Sequence, residues 1–270
     1  MVCVVSYCAG ILGALTGLGG GVVIIPALVL LFNVNIHYAM GASLIAVIAT
    51  SSGSSMAYLR EGYTNLNIGV FLECGAVVGA LVGAYLVSYL PISLIAVILG
   101  VVLIFSAFFS LKGHKSIPTG TKQHPWATFF KMNGEYPTQE GNKPYYVQHV
   151  PLGFFLLLIA GLLSGLLGIG SGALKVLAMD RAMRIPYKVS TTTSNFMIGI
   201  TATAGSGIYL ARGYINPALI FPVVIGVLFG AYTGAKILKK TKTPTLRTIF
   251  ALVIFAVAVE MIYQGVTGGI

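Results

Sequence analysis

Charge is what this sequence lacks. Only 8% of its 270 residues are Asp, Glu, Lys or Arg, and just six are acidic, against about 25% charged residues in an ordinary soluble domain. So few charges cannot clothe a water-facing surface, which excludes a soluble globular protein. Cysteine is nearly absent too. Cys3, Cys8 and Cys74 all lie in apolar segments, without ligand spacing and without a disulfide framework. The four histidines, His37, His114, His124 and His149, fall at or outside the ends of apolar runs. No metal and no cofactor is expected.

Apolar runs fill most of the chain, 57% of which is hydrophobic. Several reach the roughly 20 residues that span a bilayer core. The clearest are 38–59, 66–90, 92–111, 189–211, 217–238 and 245–264. The lipid bilayer is therefore the first partner. The net charge of +10 does not point to nucleic acid, because the basic residues sit in short runs between apolar segments, as in cytoplasmic loops. Residues 2–16 are apolar but lack a basic flank, and they lead into Gly17-Leu18-Gly19-Gly20-Gly21 and not into a cleavage site. They read as part of the membrane domain, expected in a prokaryotic plasma membrane with multiple passes.

The chain repeats itself at an offset of 151 residues. Gly10, Gly17, Gly19 and Gly21 meet Gly161, Gly168, Gly170 and Gly172; Ser43, Thr50, Ser55 and Tyr58 meet Ser194, Thr201, Ser206 and Tyr209. Gly62, Tyr63 and Asn65 meet Gly213, Tyr214 and Asn216. The expected organisation is a first membrane repeat at 1–111, a polar connector at 112–149 and a second membrane repeat at 150–270. The connector holds the one tryptophan, in a patch from Trp126 to Lys131 that suits either a headgroup layer or a solvated loop. Glycines at 75, 79, 83 and at 226, 230, 234 put small residues on one helix face, for close helix packing.

The first segment of each repeat, 2–33 and 152–180, is interrupted by a glycine cluster, with four glycines among residues 17–21 and three among residues 168–172. Each glycine costs a helix about 1 kcal/mol against alanine. Irregular backbone at membrane depth is tolerated only where it is buried in protein or lines a cavity, and matching interruptions in two halves point to a transporter's binding site. Each segment either crosses the membrane as a broken helix or re-enters as a hairpin. Crossing divides the loop Lys and Arg residues eight against seven; re-entry places fourteen on one side, with Arg212 alone opposite and Lys175 inside the hairpin. The positive-inside rule favours re-entry. The expected fold is an all-α polytopic membrane protein of two inverted repeats. Each is a glycine-broken re-entrant or half-helix pair followed by three transmembrane helices.

Gly17-Leu18-Gly19-Gly20-Gly21 and Gly168-Ile169-Gly170-Ser171-Gly172, together with Gly41-Ala42-Ser43-Leu44 and Thr192-Thr193-Ser194-Asn195 at the start of the next helix, resemble the TauE/SafE sulfite exporter family, also called the toluene-sulfonate uptake permease family. The family pattern at the second motif is close to Gly-Thr-Ser-Leu, from which Ala42, Thr192 and Asn195 depart. The resemblance covers both repeats and not the connector. It implies transport of a small sulfur-containing anion: sulfite, a sulfonate or a related organosulfur anion.

An anion in hydrocarbon needs replacements for its hydration shell, and unpaired backbone N–H groups beside a glycine break supply them. The candidate substrate-binding residues are Gly19, Gly20, Gly21, Ser43, Gly170, Ser171, Gly172, Lys175, Thr192, Thr193, Ser194 and Asn195. Tight packing alone also explains the glycines, and helix self-bonding the hydroxyls. Lys175 would pair with an anion or snorkel to the surface. Glu73, eight residues into the 66–90 run, is the proton-coupling candidate, or else bonds a neighbouring helix. No catalytic residue is expected, since a serine nucleophile at Ser171 would need an adjacent base and only Lys175 lies near it in sequence. An anion channel and an intramembrane enzyme are the alternatives to a carrier.

Overall fold

The structure, a computed structural model, describes residues 1–16, 19–60, 62–111, 125–138, 141–238 and 243–267. Each apolar run becomes a helix close to its expected limits. Residues 1–111 contain α1 (Val2–Thr16), α2 (Gly21–Pro26), α3 (Ile36–Arg60), α4 (Leu66–Leu86) and α5 (Ile92–Leu111). Residues 150–270 contain α7 (Val150–Leu167), α8 (Gly172–Leu177), α9 (Tyr187–Ala211), α10 (Pro217–Leu238) and α11 (Thr243–Thr267). Both short helices, α2 and α8, continue into a π turn, at Ala27–Leu31 and Ala178–Ala182. Four helices among the described residues are long and apolar enough to cross a membrane: Ile36–Ser55, Leu66–Leu86, Val150–Leu167 and Pro217–Gly234.

The connector corrects the all-α expectation. It carries a short helix, α6 (Pro125–Phe129), and an antiparallel hairpin of β1 (Gly134–Thr138) and β2 (Gly141–Tyr145). Proline and glycine in 134–145 stop any helix there. The hairpin docks through Asn65, whose Nδ2 donates to the Met132 carbonyl at 2.9 Å and to the Tyr145 hydroxyl at 2.7 Å. Burial, opposed by the Asn65 hydrogen bond, pushes the Tyr145 phenol above its ordinary range. Trp126 and Phe129 of α6 stay exposed, and Phe130 packs at a tilt against Phe71 of α4.

The repeated Gly-Tyr-x-Asn motif is a helix stop followed by a helix start. Gly62 and Gly213 both adopt φ of +73°, where a side chain would be strained. Asn65 accepts from the Ile68 amide at 3.1 Å and Asn216 from the Ala218 amide at 3.0 Å, satisfying donors at the next helix's first turn.

Helices pair reciprocally between the repeats. α1 lies on α10 as α7 lies on α4; α3 meets α9, and α5 meets α11. The glycine faces make the first two pairs possible. A Cβ on Gly79 or Gly83 would collide with the carbonyls of Leu158 and Leu162 of α7, and one on Gly230 with that of Tyr7 of α1. Contacts also give direction. Met40 approaches Tyr209 while Ser51 reaches Asn195 and Gly199, so α3 and α9 run antiparallel. Gly100 faces Ala258 while Gly265 faces Ser93, so α5 and α11 do likewise.

The second broken segment turns back on itself. The Gln148 amide, just before α7, donates to the Met183 carbonyl, just after the π turn, at 3.1 Å. The two arms are unequal: eighteen residues in α7, about 27 Å, against the six of α8 and the five of its π turn. Tyr63, Lys188 and the connector gather at this end of the molecule. At the other end His37 stacks on Tyr214, and Arg212 donates to the Ala84 and Tyr85 carbonyls and to Ser88. Lys122 and Lys240, natural positions for labelling the connector and the α10–α11 loop, lie outside the described residues.

Candidate functional site

The two glycine breaks meet near the middle of α3 and α9. A Cβ on Gly19 would touch Val47 and Ile198, and one on Gly170 would touch the same two residues, at 2.8 Å from Ile198 and 2.9 Å from Val47. Val47 and Ile198 are themselves repeat equivalents. Gly19 and Gly170 have φ of +76° and +73°, so both need glycine for conformation as well as space. Gly21 packs so closely that its Cβ position lies 3.3 Å from the Ile169 Cα. The centre between the breaks is therefore filled by two apolar side chains in this arrangement.

Polar groups gather beside the second break. Ser43 reaches across from the first repeat and donates to the Gly168 carbonyl at 2.7 Å. Ser194 donates to the Gly172 carbonyl at 3.3 Å. Ser171 sits in the left-handed region at φ of +44°. Its Oγ is buried with no hydrogen-bond partner among the described residues, and the same holds for Asn195 Nδ2. Thr192 and Thr193 aim elsewhere: Thr192 bonds its own helix at Lys188 and Val189, and Thr193 accepts from the Asn65 amide at 3.1 Å. The positions equivalent to Ser171 and Asn195 in the first repeat are Gly20 and Leu44, so the polarity is one-sided.

Lys175 does not snorkel. It is 0% exposed on α8, and its Nζ lies 3.1 Å from Oε2 of Glu73 on α4, itself 4% exposed. Thr201 of α9 closes the cluster, accepting from Lys175 Nζ and donating to Glu73 Oε1. Lys175 and Glu73 thus form one buried pair, contributed by α8 and α4. Each was visible in the sequence, but their pairing was not, because α8 and α4 are a hundred residues apart in the chain. Thr201 is a site residue that the sequence marks only through its repeat match with Thr50. No His, Cys, Asp and Glu cluster that would hold a metal occurs among the described residues.

A buried Lys–Glu pair set among apolar helices long enough to cross a bilayer marks a polytopic membrane protein. The sequence pattern of the sulfite exporter TauE/SafE family matches residues 2–261, and the chain belongs to that family. It is 29% identical over 97% of its length, and 97% of the relative's, to the probable membrane transporter protein YunE of Bacillus subtilis (strain 168). It is also 29% identical to that organism's probable membrane transporter protein YdhB, over 87% of this chain and 89% of the relative. A probable membrane transporter protein of Xylella fastidiosa (strain 9a5c) is 22% identical over 96% of this chain and 92% of its own. No solved structure matches the chain at a significant level. The protein is a multi-pass membrane transporter and not an enzyme.

Proposed function

We propose that this protein is a secondary carrier for a small sulfur-containing anion (sulfite, a sulfonate or a related organosulfur anion), bound beside the second glycine break. The observation that carries the reading is Lys175, a lysine sealed inside the bundle on the helix that starts at the second break, with Ser171 of the same segment and Asn195 of α9 each holding a buried polar side-chain atom that has no partner among the described residues. Intramembrane charges are costly and mark substrate or ion pathways. The packing of Val47 and Ile198 between the breaks favours a carrier over an open pore.

The carrier's halves are 1–111 and 150–270, joined by the connector 112–149 and inverted with respect to the membrane. Support comes from the antiparallel pairing of equivalent helices, α3 with α9 and α5 with α11, and from the bond between Gln148 and Met183 that returns the second hairpin to its starting end. Lys131, Lys143, Arg181, Arg184 and Lys188 then share the cytoplasmic end. The test is uptake of labelled sulfite, thiosulfate and an organosulfonate into proteoliposomes in parallel. Saturable uptake of at least one is expected, reduced at least tenfold by Lys175→Met. Equal flux of chloride and all three sulfur anions would contradict the assignment.

A further inference from the structure

We propose that Glu73 and Lys175 are an exchange pair, in which a proton taken up by Glu73 frees Lys175 to hold the substrate, so that one proton and one monoanion cross together. This rests on the transport reading above and adds its coupling.

The first argument is an internal control that the repeat provides. The positions equivalent to Lys175, Glu73 and Thr201 in the other half are Ile24, Val224 and Thr50. There Ile24 is buried, and the Thr50 hydroxyl donates to its own helix at Ala46, 2.8 Å away. The same fold therefore builds the same corner without charges. Replacing a buried ion pair by apolar residues of similar volume is often neutral or stabilising. Packing alone gives no reason to keep a lysine and a glutamate in one half only, whereas handling a charged substrate does.

The second argument is charge balance. In the empty state the Glu73 carboxylate and Lys175 ammonium cancel. For loading, a proton from water on the open side adds to Glu73 Oε2, and the ion pair to Lys175 Nζ breaks. The anion then takes the carboxylate's place on Nζ. Neutral carboxylic acid, ammonium and monoanion again sum to zero, and nothing is oxidised or reduced. The anion without the proton, or the proton without the anion, leaves an uncompensated charge inside the bundle, which is strongly disfavoured. Only the empty and doubly loaded forms would convert readily between inward-facing and outward-facing states.

Few other groups interfere. From α8 the charged group facing Glu73 is Lys175, and from α9 the facing polar group is the Thr201 hydroxyl. α7 contains no titratable residue, and on α4 itself Cys74 is exposed and bonds the Val70 carbonyl. Ser171 and Asn195, each with a buried polar side-chain atom that has no partner among the described residues, belong to the same two segments as Lys175 and Thr201.

The experiment uses the purified full-length chain and methanesulfonate, a permanent monoanion, with hydrogen sulfite at acid pH as a second probe. Calorimetric titration in two buffers of different ionisation enthalpy counts protons. We expect uptake of about one proton per anion bound, falling to none in Glu73→Gln and unchanged in Glu260→Gln. In proteoliposomes a pH gradient should drive accumulation of about tenfold per pH unit, and a potassium diffusion potential should drive none. The double variant E73V/K175I, which copies the other half, should fold and lose flux at least tenfold. Potential-driven flux without proton uptake, or unimpaired gradient-driven flux in E73V/K175I, would overturn the exchange pair and leave the transport reading standing. Failure of the unmodified protein to move either anion would remove the transport reading, and this proposal with it.

Discussion

Gly79→Ala is the perturbation whose cost can be worked most directly from the packing. Gly79 lies where α4 crosses α7, and a Cβ there would fall inside the contact distance of the Leu158 carbonyl and 2.8 Å from the Leu162 amide nitrogen. Both obstacles are backbone, so no side chain can rotate aside and the helices must separate. Overpacking of this kind costs about 1–3 kcal/mol and occasionally more. Against it stands a gain of about 1 kcal/mol from removing a mid-helix glycine. Separation also loosens the neighbouring contacts of Gly83, Gly161 and Gly165, which abut the Leu162, Ala76 and Ala80 carbonyls. A net loss of up to about 2 kcal/mol follows, or up to roughly 4–8 °C in unfolding temperature for a chain of this size. Gly207→Ala is the matched control, because nothing lies within 4 Å of its Cβ position. It should gain up to about 1 kcal/mol. Thermal unfolding of detergent-purified protein, followed by loss of the monodisperse peak at a fixed heating rate, reads both. Unfolding of Gly79→Ala at or above the unmodified temperature would refute the argument that glycine permits this helix approach.

Lys175→Met alone should destabilise by about 3–5 kcal/mol, since Glu73 is left buried without its partner, whereas E73V/K175I should recover most of the loss; a double-mutant cycle on unfolding temperature measures it, and additive losses would mean the two groups do not interact. Gly170→Val should fail to assemble: its Cβ would lie 2.8 Å from Ile198, and φ is +73°. Ser171→Ala, which removes only an unpartnered hydroxyl, should assemble normally and weaken anion affinity a fewfold by binding assay; unaltered affinity would take Ser171 out of the site. In a background free of Cys3, Cys8 and Cys74, cysteines at exposed Lys143 and Arg184 should label from one side of the membrane and a cysteine at Ala218 from the other. Opposite accessibility of Lys143 and Arg184 would refute the returning hairpin.

The sequence exposed the periodic and repeated parts of this protein. Six apolar runs became six helices within a few residues of their expected ends, because nearly every position in a bilayer-spanning helix is constrained to be apolar. The glycine faces were equally readable, since a residue without a side chain at every fourth position has one common use. The β hairpin at 134–145 was not, because its two strands are five residues each and carry no clear alternation. Nor could the sequence show that Lys175 meets Glu73. Repeat symmetry pairs Glu73 with Val224 and Lys175 with Ile24, and this cluster departs from the symmetry. The expected site used both breaks equally. In the structure Val47 and Ile198 fill the space between them, and the polar groups favour the second. That one-sidedness follows from Ser171 and Asn195 standing where the first repeat has Gly20 and Leu44.

Counterflow tests most directly whether the protein is a carrier with a site for a sulfur anion. Proteoliposomes containing the protein are loaded with unlabelled sulfite and diluted into a trace of labelled sulfite. A carrier with a saturable site beside Lys175 predicts a transient rise of internal label above the external concentration, absent from empty liposomes and lost in Lys175→Met. Label that only equilibrates, at a rate linear in sulfite concentration and indifferent to Lys175→Met, would contradict it.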